Sequence, residues 1–286
     1  MTNIDQFESV FRAAVRTLFE PTTIEIGSVM VVCDGDGAAA ESFVARVRSF
    51  LNVLDEAENL RWQSVTGSGF TTLRELLERI EAERPGLICT HRHLHSDSWR
   101  WPYTLGEYVD VLTQATTTPV LVVPHPERPE FQRLAARRPK SVMAMTNHLT
   151  GDSRLVNFAA HFTESGGTLS LSHVEDDATF ERYMEAISKI ATIDTDAARK
   201  EIRARLLKDP RDYIKSCREG LEKSAPTLSV EAVVTFGHHI QEYRQLIDEH
   251  EVDLLVMNTK DEGQLAMHGL AYPLAIGLRT IPLLML

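Results

Sequence analysis

Ser28-Val-Met-Val-Val-Cys-Asp-Gly-Asp-Gly37 is the stretch on which the fold turns. From Ser28 to Cys33 it is apolar or small and rich in β-branched side chains, with no polar alternation. That is the pattern of a strand buried on both faces of a parallel sheet. Asp34-Gly-Asp-Gly37 then supplies a turn, and a helix over about 38–56 follows.

Working outward, strands near Leu60–Val65, Gly86–Thr90 and Pro119–Val123 alternate with helices over Thr71–Glu83 and Leu105–Ala115. Such alternation marks βαβ units around a parallel sheet. Residues 125–140 then change character: Pro126, Pro129 and Pro139 stand among Arg128, Arg133, Arg137 and Arg138, as expected of a linker. Beyond it the order restarts. Strands are expected at Ser141–Thr146, Thr168–Val174, Val230–Phe236, Val252–Met257 and Pro282–Leu286, and helices at Arg154–Ser165, Ile240–His250 and Leu270–Leu278. The chain therefore reads as an internal repeat.

Two segments stand outside the repeat. Phe7, Val10, Phe11, Ala14, Val15 and Leu18 recur at helical spacing, predicting an amphipathic helix over residues 4–19 that Pro21 ends. Residues 175–227 form a charged, largely helical insertion, with a break expected at Asp209-Pro210. The expected organisation is a first domain over 1–124 that includes the leading helix, a linker over 125–140, and a second domain over 141–286.

Composition narrows the function. Against 30 Lys and Arg stand 41 Asp and Glu, a formal charge of −11, which opposes general attraction to nucleic acid or anionic lipid. Three cysteines without a Cys-x-x-Cys pair suggest neither a disulfide framework nor a cysteine zinc site, and a reducing, cytoplasmic setting fits. The N-terminus lacks a secretory h-region, and no apolar run is long enough for membrane insertion.

Leu105-Gly-Glu-Tyr-Val-Asp-Val-Leu-Thr-Gln-Ala-Thr-Thr-Thr-Pro-Val-Leu-Val-Val123 is similar, without a gap, to the closing helix and strand of the universal stress protein family. Gly167-Thr-Leu-Ser-Leu-Ser-His-Val174 resembles that family's second strand, and Val252-Asp-Leu-Leu-Val-Met257 its fourth. The resemblance covers about 28–124 and 141–286. It implies two tandem α/β, doubly wound parallel-sheet domains of the Rossmann-like, adenine nucleotide alpha hydrolase-like kind, paired as a pseudo-dimer. Self-association through sheet edges is also expected.

The same resemblance implies a nucleotide site in each repeat, with ATP or AMP as the cofactor class. Asp34 stands where the adenine-side aspartate belongs, Thr90 at the first loop glycine, and Gly106 at the closing glycine, followed by Glu107 rather than a hydroxyl residue. Asn147, Asn258 and Gly269 stand at those places in the second repeat, with Leu270 after them. Val174, ending the matched second strand, joins the pocket candidates. The family's loop cradles phosphate on backbone N–H groups. Side chains at its glycines restrict φ and obstruct that approach, and a carboxylate at Glu107 repels phosphate, so neither loop is built for a triphosphate.

Other candidates come from the residues themselves. His268 and Tyr272 lie between the fourth strand and last helix of the second repeat, where open α/β sheets take ligands. His91, His93 and His95, with Asp97 nearby, alternate as metal ligands could, although a solvated polar loop is the preferred reading. Trp99 and Trp101 flank Arg100 in a pattern suited to stacking, with packing over the sheet edge preferred. Asp34 and Asp36 could share magnesium, but turn formation explains them better.

No Gly-x-Ser-x-Gly elbow, Walker loop or cysteine with a local base is present, so catalysis has no positive support in the sequence. The expected function is sensing or regulation through a small ligand held in degenerate pockets. The alternative is a ligand-free interaction scaffold. An enzyme would need Asp34, the His91–His95 loop or His268 to converge.

Overall fold

The computed structural model describes residues 18–56, 59–101, 103–145, 149–259 and 271–286. Strand β1, Ser28–Val32, is buried at every position. Val29 and Val31 enter the apolar layer on one face of the sheet, and Met30 and Val32 the layer on the other, which is why the sequence shows no polar alternation. Helix α1 (Gly37–Phe50), β2 (Arg61–Val65), α2 (Leu73–Glu83), β3 (Leu87–His91), α3 (Glu107–Ala115) and β4 (Val120–Val123) complete the first half.

The second half runs β5 (Ser141–Met145), α4 (Ser153–Phe162), β6 (Thr168–Asp176), α5 (Asp177–Ser188), α6 (Thr195–Ser224), β7 (Ser229–Gly237), α7 (His239–Glu249), β8 (Leu254–Met257), α8 (Ala271–Gly277) and β9 (Leu283–Met285). The α/β, doubly wound, mostly parallel architecture is the expected one. Its two halves are joined differently: they share one sheet of nine strands, ordered β2-β1-β3-β4-β9-β8-β5-β6-β7.

All neighbours are parallel except β4 and β9, where Val120 lies opposite Met285, Leu121 opposite Leu284 and Val122 opposite Leu283. Each is the last strand of its half, so like meets like across an approximate two-fold. Each would otherwise leave an apolar free edge, and pairing removes both. The apolar layers cross this seam. Leu121, Val123 and Leu284 belong to one, and Val120, Val122, Leu283 and Met285 to the other.

Three expectations change. Residues 125–140 are not a bare linker. A helical turn at Pro129–Gln132 and a tighter one at Leu134–Ala136 carry Phe131 and Leu134 into the core, and the Ala135 carbonyl accepts from Ser49 of α1 at 2.9 Å. Their proline and arginine content hid two apolar anchors. Nor does Pro210 break the insertion. Helix α6 runs through it because Tyr213, Ile214, Cys217 and Leu221 bury one stripe against the sheet, and tertiary packing overrides the lost N–H donor. Finally, the leading helix expected over 4–19 lies outside the described residues except Leu18 and Phe19, which are not helical.

Residues 18–26 instead form an extended strap from the second half to β1. Phe19 packs on Gly220 of α6, where an added Cβ would meet the ring at 2.6 Å. The Phe19 N–H donates to Ser216 at 3.1 Å, that of Glu20 to Ser153, and that of Thr22 to Asn157. The Asn157 amide returns to the Glu20 carbonyl and the Thr22 hydroxyl, at 2.9 Å each. Among the described residues, the free edges of the sheet are β2 and β7.

Candidate functional site

In the first half the crossovers leave β1 toward β2 and β3 toward β4, so a crevice opens beyond the carboxyl ends of β1 and β3. A cavity of about 730 Å³ occupies it, lined among others by Asp34, Phe43, His91, Trp99, His125 and Phe131.

Asp34 leaves β1 into a tight turn. Gly67 allows that turn, since a Cβ there would meet the Asp34 carbonyl oxygen at 2.2 Å. Both carboxylate oxygens of Asp34 are engaged. One lies 3.0 Å from His91 Nε2, and the other accepts the His95 N–H at 2.9 Å. Burial pushes this carboxyl up, but the hydrogen bond and charge of His91, with the His95 amide, outweigh it and hold Asp34 well below the usual carboxylate range. Asp36 is also engaged, accepting from the Ser68 N–H at 2.9 Å.

His91 is fully buried at the end of β3. Its Nδ1 faces the Arg92 carbonyl at 2.9 Å while its Nε2 faces Asp34. Both ring nitrogens are therefore engaged by oxygen atoms of the protein. His125 stands edge-on to His91, with ring centroids 5.1 Å apart. Its Nδ1 accepts the Glu127 N–H at 3.2 Å, which places the proton of the neutral ring on Nε2. Burial first, then the charge of His91, pushes His125 down to about 3, so it is neutral at physiological pH.

Aromatic rings wall the crevice. Trp99 stacks on His125 at 4.8 Å, with the Arg100 guanidinium 5.5 Å from the indole, and Phe43 stacks on Phe131 at 5.1 Å. Burial pushes the adjoining Cys33 thiol up to about 11, so it carries no thiolate to attack with. Among the described residues no hydroxyl or thiol hydrogen-bonds to His91 or His125. The arrangement offers fixed charge, one neutral donor and flat apolar walls, which suits holding a planar polar molecule.

The other sequence candidates do not gather here. Thr90 is fully buried within β3, and its hydroxyl has no partner among the described residues. Gly106 caps α3 at φ +94°, and a Cβ there would meet His93 Cα at 2.7 Å, so this glycine serves close packing. Glu107 and Asp110 place two carboxylates in the first turn of α3. Asn258 donates its amide to Asp152, whose other oxygen caps α4. Val174 is buried in β6. Tyr272 reaches across the seam to Asp110 at 3.4 Å. Asn147, His268 and Gly269 lie outside the described residues.

The histidine alternation does not bring three ligands together. The chain turns after β3, with positive φ at His93 and His95, so the strand pleat no longer aligns the rings. His91 faces Asp34, His93 is buried with Nδ1 unpartnered among the described residues, and His95 lies edge-on to Phe70 at 4.7 Å. Among the described residues no group of three His, Cys, Asp or Glu is placed to hold a metal ion. The preferred solvated-loop reading also needs correction, since His91 through Leu94 are buried. Sequence reasoning missed His125, Phe43 and Phe131. The available signal was position: His125 falls just beyond a strand's carboxyl end.

No protein-family model and no curated protein matches the chain. Among solved structures, a universal stress protein from Archaeoglobus fulgidus is similar over 91% of this chain and 98% of that one, at 11% identity and a TM-score of 0.49. A functionally unknown protein from Pseudomonas aeruginosa PAO1 is similar over 91% and 92%, at 14% identity and a TM-score of 0.46.

Proposed function

We propose that this chain is a universal stress protein-like sensing or regulatory protein that binds a small planar ligand in the first-half crevice without converting it. The observation that carries this reading is the closed hydrogen-bond set around Asp34 and His91, set beside the Trp99 and His125 wall. A nucleophile–base pair would leave a histidine nitrogen facing a hydroxyl or thiol, whereas both His91 nitrogens are occupied. Polar groups already fixed by protein contacts need no reordering when a ligand arrives, which favours binding.

An adenine nucleoside is the ligand class we favour. The aromatic wall suits a flat base, and the neutral His125 offers a donor to a ring acceptor. A triphosphate tail is disfavoured, because Gly106 is packed against His93 and Glu107 and Asp110 crowd the start of α3. Native mass spectrometry of the full chain with adenosine, AMP and ATP tests this. Adenosine or AMP should be retained in preference to ATP, and Trp99→Ala should lose the complex. Equal retention by the variant would move the site elsewhere.

A scaffold reading has one specific support. Trp101 and Tyr103, near the crevice, are 55% and 74% exposed, as contact residues for a partner would be. Self-association through the β2 or β7 edge and a cytoplasmic setting belong to the same proposal. The three cysteines are free and buried, and no described helix is long and apolar enough to cross a membrane.

A further inference from the structure

Three guanidinium groups come together where the end of α8 meets the first half. Arg92, just past β3, is only 3% exposed. Its Nη1 donates to the Ala275 carbonyl at 2.5 Å and its Nη2 to that of Leu278 at 2.6 Å. These are free acceptors at a helix C-terminus, and the negative end of the helix dipole offsets part of the charge. Arg279, the next residue of the chain, brings a second guanidinium close by, and Arg128 a third. Burial first, then the charges of Arg279 and Arg128, pushes Arg92 down to about 9.

Among the described residues, one carboxylate stands beside the three guanidinium groups. Glu130 is that carboxylate, and it is held by Arg128 at 3.2 Å. Arg92 Nε and Arg279 Nη1 are buried with no hydrogen-bond partner among the described residues. A buried cation without a counter-charge is strongly unfavourable, and an unused N–H adds to that. Guanidinium groups present N–H pairs that match the oxygens of a tetrahedral or planar anion.

We infer that Arg92, Arg128 and Arg279 form a binding site for a small oxyanion of the inorganic phosphate class at the seam between the halves. The anion accepts from the unused N–H groups and balances the excess positive charge. Because Arg92 also clasps α8, occupancy tightens the junction of the two halves. None of its three side chains lines the crevice.

Thermal unfolding of the full chain in phosphate and in chloride, at matched pH and ionic strength, tests it, together with calorimetric titration of inorganic phosphate. Phosphate should raise the midpoint by several degrees, as mass action requires for a ligand that binds only the folded chain. Arg279 is partly exposed, so Arg279→Gln should fold and bind phosphate at least about tenfold more weakly. Asp34→Asn should keep the full phosphate response, separating this site from the crevice. A wild-type midpoint equal in both salts, or an Arg279→Gln response equal to wild type, would overturn the proposal. So would loss of the response in Asp34→Asn alone.

Discussion

Asp34 shows how a single residue ties fold to site. It caps no helix, Asp36 standing at the start of α1 instead. It anchors His91 and the turned chain at His95, so the crevice floor is set before any ligand arrives. Replacing it with Asn should destabilise the protein by about 2 kcal/mol, less than for a fully buried pair because Asp34 keeps some solvent contact. Denaturant titration reads this directly. The pH sign follows from the depressed folded-state value: the contribution is complete above the ordinary carboxyl range and is lost as pH falls below it, so the wild-type advantage should shrink on acidification. His125 acts in the same direction over a higher window. Its folded value of about 3 lies below its ordinary one, so the unfolded chain binds the extra proton and stability falls as pH drops from about 6.5. His125→Phe should flatten that slope, and an unchanged slope would remove the assignment. Asp34 was legible in the sequence because a strand followed by Asp-Gly-Asp-Gly announces a carboxyl-end turn. His125 and Phe131 were not, since nothing in a proline- and arginine-rich segment says that it folds back over α1.

At the scale of elements, the strap over residues 18–26 and helix α6 fit each other in detail. Gly220 leaves the notch that Phe19 fills, and Ser216, Ser153 and Asn157 read the strap's backbone. Phe19→Ala should cost about 3 kcal/mol and expose the amides of Glu20 and Thr22 to hydrogen exchange. Slow exchange in that variant would show that the hydrogen bonds hold the strap unaided. Helix α6 also shows the limit of local rules. Pro210 predicted a break, yet the stripe of Tyr213, Ile214, Cys217 and Leu221 lies on the sheet layer and carries the helix through. Strand positions were legible because buried parallel strands are continuous apolar runs. Helix continuity past a proline depends on contacts that no local window contains.

At the scale of the molecule, the seam between β4 and β9 decides how the halves behave together. The repeat was legible from the restart of the strand order, but the join was not: two apolar terminal strands do not say in sequence whether they pair with each other or face solvent separately. Since both apolar layers cross the seam, unfolding should be one cooperative event. Trp62, Trp99 and Trp101, the three tryptophans, all lie in the first half, so their fluorescence follows that half while far-ultraviolet circular dichroism follows both. Coincident transitions are expected, and separate midpoints would mean that the halves unfold independently.

The central claim, a ligand-holding crevice around Asp34, His91, Trp99 and His125, is tested most directly by titrating adenosine into the full chain while following tryptophan fluorescence. Wild-type protein should show a saturable change that Trp99→Phe loses and that His125→Ala weakens by about tenfold, the loss of a donor hydrogen bond and a stacking face. A signal that never saturates, or one that survives unchanged in both variants, would contradict the account.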